Sequence, residues 1–187
     1  YDDSLNALQL PYLYRDEEHM WNVLNGEIGQ SFLNSETLKE KGIMGLAWYT
    51  GGSRNFYNTH KEIHTPEDLV GMKVRVLESK LNMGMVSAMG GEPKPMNFAD
   101  VYNALEKGTL DAAENNWASY ISSSHYKVAK YITVDEHLRI PEIIIASKKS
   151  MEKLSEEDQK IIAECAKEST DTQLKLWKNY EEESVKT

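Results

Sequence analysis

Three groups of residues have the types and spacing to do chemistry. The first is HKEIH, residues 60–64, where His60 and His64 flank Glu62. On a helix two histidines four apart share a face and could ligate zinc, with Glu62 as a base. Thr65-Pro66 follows at once and RNFYNT precedes, so an extended or looped chain is expected instead. There, positions four apart lie about 13 Å from each other, too far for one ion, and exposed loop histidines without a metal are expected. The second group is Arg54 and Arg75. In VGMKVRV, residues 70–76, Met72, Val74 and Val76 alternate as the buried face of a strand, leaving Lys73 and Arg75 on the other face. Arg54 follows a glycine pair in GGSRNFY, where a strand is expected to turn. Each arginine alone reads as a surface charge. Together, beside strand-to-loop junctions, they could form a fork for a carboxylate, because guanidinium is planar, always charged and donates two parallel hydrogen bonds. The third group is AENNWASY: Asn115 and Asn116 follow a short strand at its carboxyl end, where open α/β sheets take their ligands. Their amides donate to and accept from hydroxyls and carboxylates, and Trp117 offers a flat wall for a sugar ring or carbon chain. The same residues also read as a turn beside a core tryptophan, and spacing does not choose between the two.

Motifs for established catalysis are missing: the sequence holds no G-x-S-x-G, no phosphate loop and no G-x-G-x-x-G. Glu114 and His125 are close enough in sequence to be considered as catalytic candidates in an enzyme. Glu114 could equally orient an arginine, and His125 could cap a helix. No cofactor is expected.

The elements that must position these groups follow from pattern. Alternating strands and helices make the class α/β with mixed or parallel sheets. Residues 15–42 read as one helix with Met20, Val23 and Leu24 on a face and Gly42 as its stop. IMGLAWYTGG is a short buried strand ended by the glycine pair, MKVRVL the next strand, and TPEDLVG a short helix capped by Thr65 with Pro66 at its first position. A helix opened by Ser79 closes at Gly90-Gly91, EPKPM is extended, FADVYNALEKG is helical and TLDAAEN is a strand. Two extended runs, 131–138 and 142–147, flank Pro141. Ser155 opens a long final helix with the capping pattern S-x-x-D and a stripe through Ile162, Cys165, Ala166, Ser169, Gln173, Leu176, Trp177 and Tyr180. Among 187 residues, 40% are hydrophobic and 27% charged, enough for a real core. A net charge of −9 disfavours nucleic acid, which requires a basic stripe, yet leaves room for one local anion site. No run approaches eighteen apolar residues, so no transmembrane helix is expected. The single Cys165, expected to be buried, allows neither an internal disulfide nor a cysteine-based metal site.

The order TPEDLVGMKVRV, GGEPKPMNFADVYNALEKGTLDAAENNWASY, HYKVAKYITVDEHLRIPEIIIASKK and LSEEDQKII resembles the substrate-binding proteins of TRAP transporters, the DctP-like extracytoplasmic receptors. The resemblance implies a two-lobed fold like the type II periplasmic binding proteins, with mixed sheets, a long hinge-crossing helix and a cleft that closes on an organic acid. It divides the chain into 1–51 with 141–187, part of one lobe, and 52–140, a second lobe carrying the main ligand-binding residues. It implies a monomer outside the cytoplasm, in a periplasm or lipid-anchored at the surface, that delivers its ligand to the permease subunits of a TRAP transporter. Carried onto this sequence, the signature carboxylate-binding arginine falls on Arg75, the second arginine on Arg54, the ligand-packing aromatic on Phe98 and the asparagine of the E-N-P motif on Asn115. The sequence departs with ENN in place of ENP, followed by Trp117 and Tyr120. That form resembles the branch for sugar acids such as uronates and aldonates, where Asn116 and Tyr120 would supply hydroxyl partners. A C4-dicarboxylate is the alternative ligand. Family members are longer, so the resemblance also implies a chain truncated at both ends.

Overall fold

The computed structural model describes residues 3–187; the first two residues of the chain's start lie outside it. In chain order the elements are α1 (Glu17–Asn25), α2 (Glu27–Leu33), α3 (Glu36–Glu40), β1 (Ile43–Asn58), β2 (Lys73–Val76), α4 (Lys80–Ala88), β3 (Glu92–Pro95), α5 (Val101–Glu106), β4 (Ala112–Asn115), α6 (Trp117–Ser122), β5 (Tyr131–Ser147), α7 (Lys148–Met151) and α8 (Glu156–Lys186). The five strands form one mixed sheet in the order β3-β2-β4-β1-β5. β2 runs parallel to both β3 and β4, and β1 is antiparallel to β4. Mixed α/β architecture therefore stands as expected.

Several elements differ from the expectation for physical reasons. The single helix over 15–42 is three short ones, because Gly26 adopts an extended conformation and Ser35 starts a new helix by accepting from the Leu38 amide at 3.2 Å. The glycine pair does not end β1. Gly52 takes φ 72°, a conformation open to glycine at little cost, and the strand continues to Asn58. β5 likewise runs straight through Pro141, tolerated because β5 is the sheet's edge and the missing N–H breaks no internal ladder. TPEDLVG closes as one 3-10 turn, with Asp68 accepting from the Thr65 amide at 3.1 Å. Of the expected stripe on α8, Ile162, Ala166, Ser169, Gln173 and Trp177 turn inward, and Thr170 and Leu174 join them in place of Cys165 and Leu176. That thiol is exposed rather than buried, and Leu176 is 65% exposed.

The chain divides into two compact units. One comprises residues up to Gly52 with Arg139–Tyr180. Its core is Leu8, Tyr14, Met20, Leu24, Leu33 and Trp48, and β1 crosses α2 so closely that a Cβ at Gly45 would lie 2.7 Å from the Leu33 carbonyl oxygen. α8 is tied to β1 there by Tyr49 with Ser169 at 2.8 Å and by Gln173 donating to the Thr50 carbonyl at 2.8 Å. The other unit comprises Ser53–Leu138 with Glu181–Thr187 and carries the short strands. One sheet face packs Phe56, Val74, Val76 and Ala112 against Leu69, Met85 and Val86. The other packs Tyr57 and Ala113 against Val101, Ala104, Leu105 and Tyr120.

Candidate functional site

Register decides which side chains can meet. Arg75 stands opposite Lys94 and Ala113, Ala113 opposite Tyr57, and Asn115 opposite Asn55. Alternate strand residues share a face, so Arg75, Asn115, Tyr57 and Asn55 line one face near the carboxyl ends of the parallel strands. Glu114 and Phe56 point to the other, with Val74, Val76 and Ala112.

Arg75 is 2% exposed. Its Nε and Nη2 both donate to the Met96 carbonyl, at 2.9 and 2.8 Å, and its Cζ lies 5.7 Å from the centre of the Phe98 ring. Among the described residues no carboxylate pairs with it. Burial works against its charge, and the more distant Glu114 carboxylate works for it. Phe98 begins the helical turn after β3 and is 40% exposed. Behind it lies His125, ring centres 5.3 Å apart. His125 Nδ1 shares a 2.7 Å hydrogen bond with the Tyr57 hydroxyl. Burial, with a smaller contribution from the Arg75 charge, pushes the imidazole down to about 4. The Tyr57 phenol is pushed up by burial and by Glu114, so a neutral pair backs the Phe98 ring. His125 begins a short 3-10 turn and caps no helix with its side chain.

Asn115 is buried at the end of β4; its Oδ1 accepts from the Asn116 amide at 2.9 Å, while its Nδ2 donates to no described residue. Asn116 is the N-cap of α6, accepting from the Ser119 amide at 2.7 Å. Trp117 therefore sits at the first helical position, half-buried, where it lines a cavity of about 400 Å³ with Ser53, Glu136 and Val185. Tyr120 departs from the expected role. Its hydroxyl donates to the Ala129 carbonyl at 2.7 Å within the core, because its helical position turns it under the sheet.

Arg54 also departs from expectation. It lies on the face opposite Arg75, within β1 rather than at a turn. Its Nε and Nη2 hold both carboxylate oxygens of Glu114, and Nη2 also donates to the Glu114 carbonyl at 2.9 Å. Burial pushes the Glu114 carboxyl up, but the Arg54 guanidinium and His137 more than offset it, holding Glu114 below the usual carboxylate range. The two arginines therefore form no fork: one is neutralised internally and the other is not. Glu114 and His125 are each engaged, on different faces. His60 bonds Asp111 at 2.8 Å and His64 faces Glu62 at 3.2 Å, both on the surface. Sequence reasoning missed His137, fully buried between Asp135 and Glu114. The alternation of Asp135 and His137 on one face of TVDEHLR carried the signal.

Solved relatives define the class. A TRAP periplasmic solute-binding protein from a Sulfitobacter species, solved with bound β-D-galacturonate, matches 98% of this chain and 61% of its own, at 44% identity and a TM-score of 0.93. One from Chromohalobacter salexigens, with bound D-glucuronate, matches 98% and 60% at 39% identity and a TM-score of 0.94. The fold is that of TRAP periplasmic solute-binding proteins. The family model for bacterial extracellular solute-binding proteins, family 7, matches residues 1–187, and the chain belongs to that family. A solute-binding protein of Chromohalobacter salexigens is 41% identical over 174 residues, 93% of this chain and 51% of the relative. The chain thus spans about half the length of that relative.

Proposed function

We propose that the protein is an extracytoplasmic receptor that binds a hexuronate and delivers it to the membrane subunits of a TRAP-type secondary transporter. The observation that carries this reading is Arg75: a buried guanidinium with no carboxylate partner among the described residues, at the carboxyl end of a parallel strand. A buried charge is costly unless paired, and a ligand carboxylate supplies the pair. Asn115 Nδ2 adds an amide donor on the same face, Phe98 an aromatic surface, and Trp117, fixed by the Asn116 cap, a wall for the sugar ring. Arg54 and Tyr120 support the site from within the fold. The uronates bound by two structural relatives support the ligand class, and their periplasmic setting supports a place outside the cytoplasm.

Titration calorimetry on the full-length protein tests the reading, using D-glucuronate, D-galacturonate, succinate and sialic acid. A uronate is expected to bind most tightly. A charge-assisted hydrogen bond contributes about 1.5–3 kcal/mol, so Arg75→Ala is expected to weaken binding by at least about tenfold, or about 1.4 kcal/mol. Unchanged affinity in that variant, or succinate as the preferred ligand, overturns it.

A further inference from the structure

Phe98 is 40% exposed and opens a 3-10 turn of only three residues, so the orientation of its ring depends on what packs against it. The His125 imidazole lies there, 5.3 Å away centre to centre, with the two planes 56° apart. That imidazole is itself held in place. Its Nδ1 is 2.7 Å from the Tyr57 hydroxyl, and both residues are only 1% exposed. Besides Phe98 it meets the ring of Tyr57 from β1 at 5.6 Å and that of Tyr102 from α5 at 6.5 Å. Its backbone is fixed as well. Ser124 before it takes φ 59°, a costly conformation for a residue other than glycine that persists only where the surroundings hold it. The His125 carbonyl accepts from the Val128 and Ala129 amides at 3.1 and 2.8 Å.

The same contacts place the imidazole proton. Burial keeps the Tyr57 phenol protonated. Neither side chain has another hydrogen bond among the described residues. If Nδ1 were the donor, the buried hydroxyl proton would lack an acceptor and the Nε2 lone pair a donor. With Tyr57 donating to Nδ1, only the Nε2–H is left unpaired. Buried hydrogen bonds are expensive to leave unmade, so the fold selects the tautomer protonated at Nε2. Burial, with the Arg75 charge, keeps the ring neutral above about pH 4.

We propose that Tyr57 and His125 are positioning residues for the ligand: the hydroxyl locks the imidazole, the imidazole seats Phe98, and the seated ring meets the carbon skeleton of the bound acid. The inference rests on the reading of Arg75 and Phe98 as ligand contacts. Because the seat is neutral, it adds no charge to repel Arg75, whose Cζ is 5.7 Å from the centre of the same ring.

Two measurements on the full-length protein decide it. In the unaltered, ligand-free protein at about pH 7, nitrogen-resolved NMR is expected to show His125 protonated at Nε2 alone. A proton on Nδ1, or a mixture of tautomers, overturns the inference whatever the ligand does. Calorimetry with D-glucuronate reads the coupling through a double-mutant cycle. Tyr57→Phe, which removes one oxygen and keeps the ring, is expected to weaken binding by about two- to tenfold, the range a single aromatic contact contributes. In a protein that already carries Phe98→Ala it is expected to weaken binding no further. A merely structural tyrosine would lower the melting temperature of both proteins and leave both affinities alone. Unchanged affinity in Tyr57→Phe, or an equal loss with and without Phe98, overturns the inference and leaves the receptor reading standing. No uronate binding by the unaltered protein removes the receptor reading and the positioning role with it.

Discussion

Replacing Glu114 by alanine exposes how the site is held. Arg54 is 7% exposed and Glu114 1%, so the pair is out of water and the guanidinium cannot be rehydrated when its partner is removed. Breaking a buried pair from one side costs about 3–5 kcal/mol. The bond from Arg54 Nη2 to the residue 114 carbonyl survives the substitution, which places the expected loss near the lower end, about 3 kcal/mol. For a protein of this size the melting temperature falls by about 2–4 °C per kcal/mol, giving a drop of about 6–12 °C. Thermal unfolding followed by circular dichroism reads it directly. Arg54→Met combined with Glu114→Leu is expected to recover most of the loss, because no charge is then stranded. pH gives a second check. Glu114 is held below its ordinary value of 4.5, so its contribution is present above pH 4.5 and fades as pH falls through the lower folded value. A drop under 2 °C in Glu114→Ala, or a double variant as unstable as the single one, would refute the view that this pair is a closed internal unit.

Other outcomes follow from the same geometry. Asn116→Ala removes the cap of α6 and is expected to cost about 1 kcal/mol of stability, measured by urea unfolding; Asn116→Asp keeps the acceptor and is expected to remain close to the parent. His125 is neutral in the fold down to about pH 4, whereas the unfolded chain takes up its proton near 6.5. Stability is therefore expected to fall as pH drops from 6.5 toward 4, and His125→Gln to flatten that part of a melting-temperature profile. Phe98→Ala leaves Arg75 anchored on Met96 and is expected to weaken uronate binding with little loss of stability, because the ring is 40% exposed.

How much of this was legible in the sequence depends on the distance over which a contact acts. β2, α5 and the start of α8 come from neighbours within four residues, and Met72-Val74-Val76 alternation turned Arg75 to the face opposite Val74 and Val76. Partners of charges are another matter. Arg54 finds Glu114 sixty residues away, and only strand register puts that pair on the face opposite Arg75. The glycine pair at 51–52 signals a turn by composition, yet the strand continues through a positive φ at Gly52. Tyr120 reads as an available hydroxyl until the chain returns Ala129 to meet it. His137 has a local clue in Asp135, but its second carboxylate again comes from β4.

The account rests on Arg75 meeting the carboxylate of the bound acid. A crystal structure of the full-length protein with D-glucuronate measures that contact. The expected result is a sugar carboxylate within hydrogen-bonding distance, about 2.7–2.9 Å, of the Arg75 guanidinium, with Asn115 Nδ2 beside it and the ring against Phe98 or Trp117. A uronate bound elsewhere, with Arg75 still held only by the Met96 carbonyl, would contradict it.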